Sequence, residues 1–115
     1  MAEQTKQITY EDFRKVDMRV GKVVKVEDSP EMRKPSYKLT IDFGKEIGTK
    51  KSSAQITTHA KEELIGKQVI AVVNFPPKRV TNFDSEVLTL GVSNGSGSWI
   101  VIRPAGEVEL GTRIE

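Results

Sequence analysis

Cysteine is absent from the 115-residue chain, and histidine and tryptophan occur once each. Without thiols there are no disulfides, no thiol chemistry and no Cys-ligated zinc, a composition that fits a reducing compartment. The lone His59, near Glu62 and Glu63, cannot complete a transition-metal site and reads as a surface residue. No apolar run approaches the roughly 20 residues a membrane span needs. Met1–Gln7 has no apolar core of a secretory leader. The expectation is a soluble cytoplasmic protein with no membrane insertion. Catalytic patterns are also missing. Ser52 and Ser53 have only His59 as a conceivable base, and that is near in sequence alone. Gly95-Ser96-Gly97 opens no helix, so it reads as a hairpin turn instead of a phosphate cradle. The chain is therefore expected to bind rather than catalyse, with no cofactor and no metal; a Ser/His hydrolase would rest on Ser52 and Ser53 alone.

Charge is nearly balanced, 18 Lys+Arg against 16 Asp+Glu, for a net +2. Its distribution is uneven. Arg33 to Lys61 holds seven basic residues (Arg33, Lys34, Lys38, Lys45, Lys50, Lys51, Lys61) and two acidic ones (Asp42, Glu46), so this segment alone is +5. A concentrated positive segment is suited to polyanions, although any one of its cations is ordinarily just solvated.

The length suits one domain, residues 1–115, with residues 1–8 a loose N-terminal extension. Thr9 caps a short helix over Tyr10–Lys15. From Asp17 to Glu27 the pattern has period two, with Met18, Val20, Val24 and Val26 on one side and Arg19, Val23, Lys25 and Glu27 on the other. Gly21 inside this strand marks a bulge or bend. A loop bounded by Pro30 and Pro35 leads to a half-buried strand in which Tyr37, Leu39, Ile41 and Phe43 alternate with Lys38, Thr40 and Asp42. After a turn at Gly44–Gly48 come a polar strand over Thr49–Ile56, a short helix over Thr58–Leu64 and a buried strand over Lys67–Asn74. Strands at Glu86–Val92 and Trp99–Arg103 flank a turn at Asn94–Gly97. Five or six short strands with one helix between the third and fourth predict an all-β OB-fold: a five-stranded barrel with terminal extensions, whose second and third strands form the usual ligand face.

Between the last strands lies Asn74-Phe75-Pro76-Pro77-Lys78-Arg79, followed by a polar loop to Ser85. Two prolines remove two donors and fix two φ angles, so the chain must leave the sheet as a stiff segment that carries Lys78 and Arg79 on a rim. Phe75 is expected in the core, and Phe83 either in the core or in contact with ligand. Asp17-Met18-Arg19-Val20-Gly21 is a second motif, whose Asp and Arg share one strand face and read first as an ion pair.

Together the Asp17–Val23 motif and the Asn74–Ser85 segment resemble the tRNA-binding domain of the EMAP II type. The segments Ile41–Gly44, Ser52–Ile56, Lys67–Pro77 and Ser85–Leu88 resemble its CsaA-type branch of export-related, chaperone-like proteins; the resemblance runs from Ile8 to Glu115. It implies a homodimer joined through terminal extensions. It also implies binding of tRNA or other structured RNA, and of unfolded or precursor polypeptides in protein export. The alternative is a structure-specific tRNA-binding protein acting in translation. The site residues expected on this basis are Arg19, Lys38, Lys50, Lys51, Lys78 and Arg79 as cations, with Ser53, Asn74 and Ser85 as hydrogen-bonding partners and Phe83 as an apolar contact. Pro76 and Thr81 stand where the broader tRNA-binding pattern carries Lys and Arg, and Glu86 stands where it carries Gly. Each lost phosphate contact removes a counterion-release contribution.

Overall fold

The computed structural model describes residues 5–115; the first half of the expected N-terminal extension, Met1–Gln4, lies outside the described residues. The elements in order are α1 (Tyr10–Arg14), β1 (Met18–Asp28), β2 (Tyr37–Asp42), α2 (Gly44–Ile47), β3 (Thr49–Ala54), α3 (Lys61–Leu64), β4 (Gln68–Val72), β5 (Lys78–Val80), β6 (Phe83–Ser85), β7 (Leu88–Thr89), β8 (Gly91–Ser93) and β9 (Trp99–Val101). A five-stranded antiparallel sheet has the order β3-β2-β1-β4-β7. It curls until Glu86 N–H donates to the Lys51 carbonyl at 2.8 Å, which brings β7's approach against β3. The result is the nearly closed OB barrel expected from the strand count, with α3 between β3 and β4.

β1 makes this possible because it serves two neighbours. Met18–Lys22 pair with β4, and Lys22–Asp28 pair with β2. The break in register lies between Val23 and Lys25, not at Gly21. Val24 is the extra residue. The bulge shifts the side-chain phase, so Val23 and Val26 are buried while Val24 is 47% exposed. The regular alternation expected along β1 fails at this point. Gly21 answers a different need: a Cβ there would lie 2.5 Å from Ile41 Cγ2 and 2.7 Å from the Phe43 ring. Ile41 and Phe43, both fully buried, pack directly on its backbone.

Several expected boundaries move for identifiable reasons. The helix before β4 begins at Lys61 instead of Thr58, because His59 and Ala60 are used otherwise. The His59 carbonyl accepts from Tyr37 Oη (2.8 Å), and its Nε2 accepts from Val101 N–H (3.1 Å). Ala60 is extended and its N–H donates to Glu63 Oε1. His59 is thus a largely buried structural link, not a surface residue. The strand expected over Glu86–Val92 is split at Leu90, whose N–H donates to Ile70 and whose carbonyl accepts from Ile102. The polar loop after the prolines is a hairpin, β5–β6, closed by Thr81 and Asn82. Thr81 takes a left-handed φ of 57°, which a two-residue hairpin loop requires and a β-branched side chain resists.

The C-terminal segment seals the edge of β1 that β2 leaves open. Val20 N–H donates to Thr112 O, Gly111 N–H to Val20 O and Ile114 N–H to Met18 O. Arg19 braces this seam. Its Nε lies 2.6 Å from Asp17 Oδ1, and its Nη1 donates to the Gly111 carbonyl at 3.0 Å. The Arg19 hydrogen bond, with Arg113 and Arg14 nearby, holds the Asp17 carboxyl below its ordinary range. A depressed folded-state pKa gives stability that is complete above the ordinary carboxylate range and is lost as pH falls through the depressed value. Asp17→Asn should therefore cost about 1–2 kcal/mol at neutral pH, by leaving two part-buried arginines under-compensated, and should flatten the acid limb of a stability–pH curve. Urea melts between pH 7 and pH 3 check this; an unchanged acid limb would mean the seam does not depend on this pair.

Candidate nucleic-acid and polypeptide interface

Alternation in β2 turns Tyr37, Leu39 and Ile41 inward and Lys38, Thr40 and Asp42 outward. Pairing with β3 carries the pattern across. Leu39 opposes Ser52 in the interior, while Lys38 opposes Ser53 and Thr40 opposes Lys51 on the outer face. Lys25 and Glu27 of β1 extend the same face, opposite Thr40 and Lys38. Lys50 opposes buried Ile41, so it has the inward parity and points away from Lys51.

The β5–β6 hairpin folds against this face. Ser53 N–H donates to Ser85 Oγ at 3.0 Å, and Ser85 Oγ donates to Val87 O. The Lys38 ammonium stands 5.5 Å from the centre of the Phe83 ring, close enough for cation–π attraction. Lys51 N–H donates to Glu86 Oε1 (2.9 Å) as Glu86 N–H donates back to Lys51 O, a reciprocal clamp that fixes the base of the hairpin. Glu86 thus has a structural partner on the face. Between hairpin and sheet lies an open cleft of about 390 Å³ lined by Lys51, Arg79, Asn82, Phe83, Asp84 and Glu86. Arg79 Nη1 contacts Asp84 Oδ1 at 3.0 Å with both side chains about three-fifths exposed, which leaves most of the guanidinium free.

The structure brings Lys38, Lys51, Ser53, Arg79, Phe83 and Ser85 together, sets Lys78 beside Ser85, and leaves three of the expected residues elsewhere. Lys78 pairs with Ser85 and shares the hairpin face of Ser85 and Phe83, whereas Arg79 pairs with Asp84 on the other face and lines the cleft with it. Lys50 has the wrong parity. Arg19 is committed to Asp17 and Gly111. Asn74 uses both ends of its amide on the α1–β1 connection: its Oδ1 accepts from Asp17 N–H (3.0 Å) and its Nδ2 donates to Lys15 O (2.7 Å). Phe75, expected in the core, is 52% exposed beside the prolines. One contact on the face had no signal in the sequence: Glu31 Oε2 lies 2.5 Å from Lys38 Nζ. Among the described residues no group of His, Cys, Asp and Glu could hold a metal ion, and no helix is long and apolar enough to cross a membrane.

The family described as "Putative tRNA binding domain" matches residues 18–113. The methionine–tRNA ligase of Porphyromonas gingivalis is 38% identical over 109 residues, which is 94% of this chain but 16% of the ligase. The chain therefore spans about a sixth of the length of such curated relatives. The crystal structure of the CsaA chaperone protein from Picrophilus torridus is 53% identical with a TM-score of 0.89, covering 95% of this chain and all of that one. Chaperone CsaA from Bacillus anthracis is 48% identical with the same TM-score, covering 96% of this chain and all of that one. The chain belongs to the tRNA-binding domain family, on the branch that carries the CsaA proteins.

Proposed function

We propose that this chain is a homodimeric, cytoplasmic binding protein of one domain. It would hold unfolded or precursor polypeptides on their way to export machinery, and the same face would bind tRNA or other structured RNA. Its action is reversible binding without chemistry. The observation that carries this is the cleft between the outer β2–β3 face and the β5–β6 hairpin, which Lys51 and Arg79 line together with Phe83, while Lys38 stands 5.5 Å from the Phe83 ring. Cations beside an aromatic ring suit two ligands: phosphates met by Lys51 and Arg79, or an extended polypeptide whose apolar residues meet Phe83 and the exposed Phe75. Ile8 and Tyr10 near one end and Val108 near the other are exposed apolar side chains, suited to a dimer joined through terminal segments. The second reading, a structure-specific tRNA binder acting in translation, is favoured by the methionine–tRNA ligases among the relatives.

The test is one preparation, two ligands and a salt series. Unfractionated tRNA should bind with a steep log–log fall, each phosphate contact contributing about 0.7–0.9 to the slope. A reduced, carboxymethylated polypeptide should bind with little salt dependence. Absence of tRNA binding at low salt with polypeptide binding intact removes the RNA half; the converse result leaves the translation reading. Sedimentation should give twice the 12.8 kDa chain mass, and a monomer at micromolar concentration would remove the dimer.

A further inference from the structure

We propose that Glu31 is an affinity-setting gate over Lys38: its carboxylate occupies the place an incoming phosphate would take, and the loop that carries it must lift before RNA engages this part of the face. The inference rests on the outer β2–β3 face being the anion-binding surface.

Lys38 differs from the other cations of the face. Lys51 and Lys78 have no carboxylate partner among the described residues, and the Arg79–Asp84 pair is open to solvent. Lys38 and Glu31 are 23% and 27% exposed, at 2.5 Å, with the Phe83 ring against the ammonium. Glu27, which opposes Lys38 in the strand register, is drawn instead to Lys25 at 3.7 Å. Glu31 is therefore the acid that holds Lys38. That hydrogen bond keeps the Glu31 carboxyl below its ordinary range, so it stays ionised at neutral pH.

The loop is built to present this acid. Pro30 and Pro35 restrict the backbone at either end, Met32 N–H donates to Ser29 O to close a turn around Glu31, and Ser36 Oγ donates to Lys34 O. The same loop carries Arg33 and Lys34, both exposed. Lifting it would free Lys38.

The consequence is an ion exchange. A phosphate that takes Lys38 must first displace the Glu31 carboxylate, so the contact adds less affinity than one made to an open cation. A tethered carboxylate also competes at high effective concentration. A single acidic side chain of a polypeptide gains little by replacing it, whereas a run of phosphates held by Lys51 and Arg79 can.

Two measurements test the gate. In competitive acetylation read by mass spectrometry, Lys38 should react at least about fivefold more slowly than Lys51 in the unaltered protein, and at a comparable rate in Glu31→Gln. Equal rates in the unaltered protein overturn the proposal whatever RNA does. With unfractionated tRNA at low salt, Glu31→Gln should bind about three- to tenfold more tightly. Glu31→Asp, which shortens the reach but keeps the charge, should fall between. Lys38 unmasked with affinity unchanged also overturns the gate. If neither protein binds tRNA at low salt while Lys38 remains protected, the RNA reading has failed and takes the gate's ligand with it, a pattern distinct from failure of the masking itself.

Discussion

Gly21→Val should remove most or all of the folded protein's stability. The first added carbon would meet Ile41 Cγ2 at 2.5 Å and two ring atoms of Phe43 at 2.7 Å. Both residues are completely buried, so neither can swing into solvent. The Phe43 backbone also has little room, because Gly111 packs so close to its carbonyl that even a Cβ on Gly111 would lie 2.6 Å from it, and Gly111 itself takes a φ of +89°. Overpacking a dense core typically costs 1–3 kcal/mol, and a rigid site with two more atoms to place lies at the upper end, about 3 kcal/mol or more. Against a total of about 5–15 kcal/mol, that is a large fraction. Urea denaturation measures it. Gly21→Ala should lose less, and Ile41→Ala added to Gly21→Val should recover part of the loss by vacating the contested space. If Gly21→Val melts within about 0.5 kcal/mol of the unaltered protein, the interior is looser than these contacts require.

The largest functional effect is expected from Lys51→Ala combined with Arg79→Ala. Each side chain reaches the cleft from a different strand, and neither supports the core. Removing two phosphate contacts of about 1 kcal/mol each should weaken tRNA binding about 30-fold at low salt and make the salt slope shallower by about 1.5. Lys50→Ala is the informative control, since it removes charge from a position that faces away. It should change tRNA affinity by less than about threefold. Should Lys50→Ala match the double variant, the binding surface lies on another side of the barrel. The fold should be unaffected in all of them, which thermal melts can verify.

The contrast between Lys50 and Lys51 shows how far the sequence carries. In β2 the alternation of Tyr37, Leu39 and Ile41 with Lys38, Thr40 and Asp42 announces which face is wet, and the structure follows it. β3 reads Thr-Lys-Lys-Ser-Ser-Ala, with no large apolar residue to mark the inward set. The two lysines look equivalent until the pairing with Ile41 and Thr40 separates them. Val24 misled for a related reason: a bulge shifts the period by one, and nothing in Val-Val-Lys-Val says where. Phe75 looked like core because it is aromatic and follows an apolar strand, yet the prolines carry it out of the sheet before it can turn inward.

By itself, the sequence determined what is local: the lack of cysteine and of a second histidine, a barrel of short strands with one inserted helix, and a stiff proline exit beside cations. These depend on residue type, period two and fixed φ angles, all read within a few neighbouring residues. Only the tertiary structure decided which polar groups are free. Asn74 and Asp17 are 57 residues apart, Arg19 and Gly111 92 apart, and Ser53 and Ser85 32 apart. Whether a cation is committed to a carbonyl, masked by Glu31 or open beside Phe83 depends on which strands the barrel brings together. A side chain's partners are set by closure of the sheet in space, which no short-range pattern encodes.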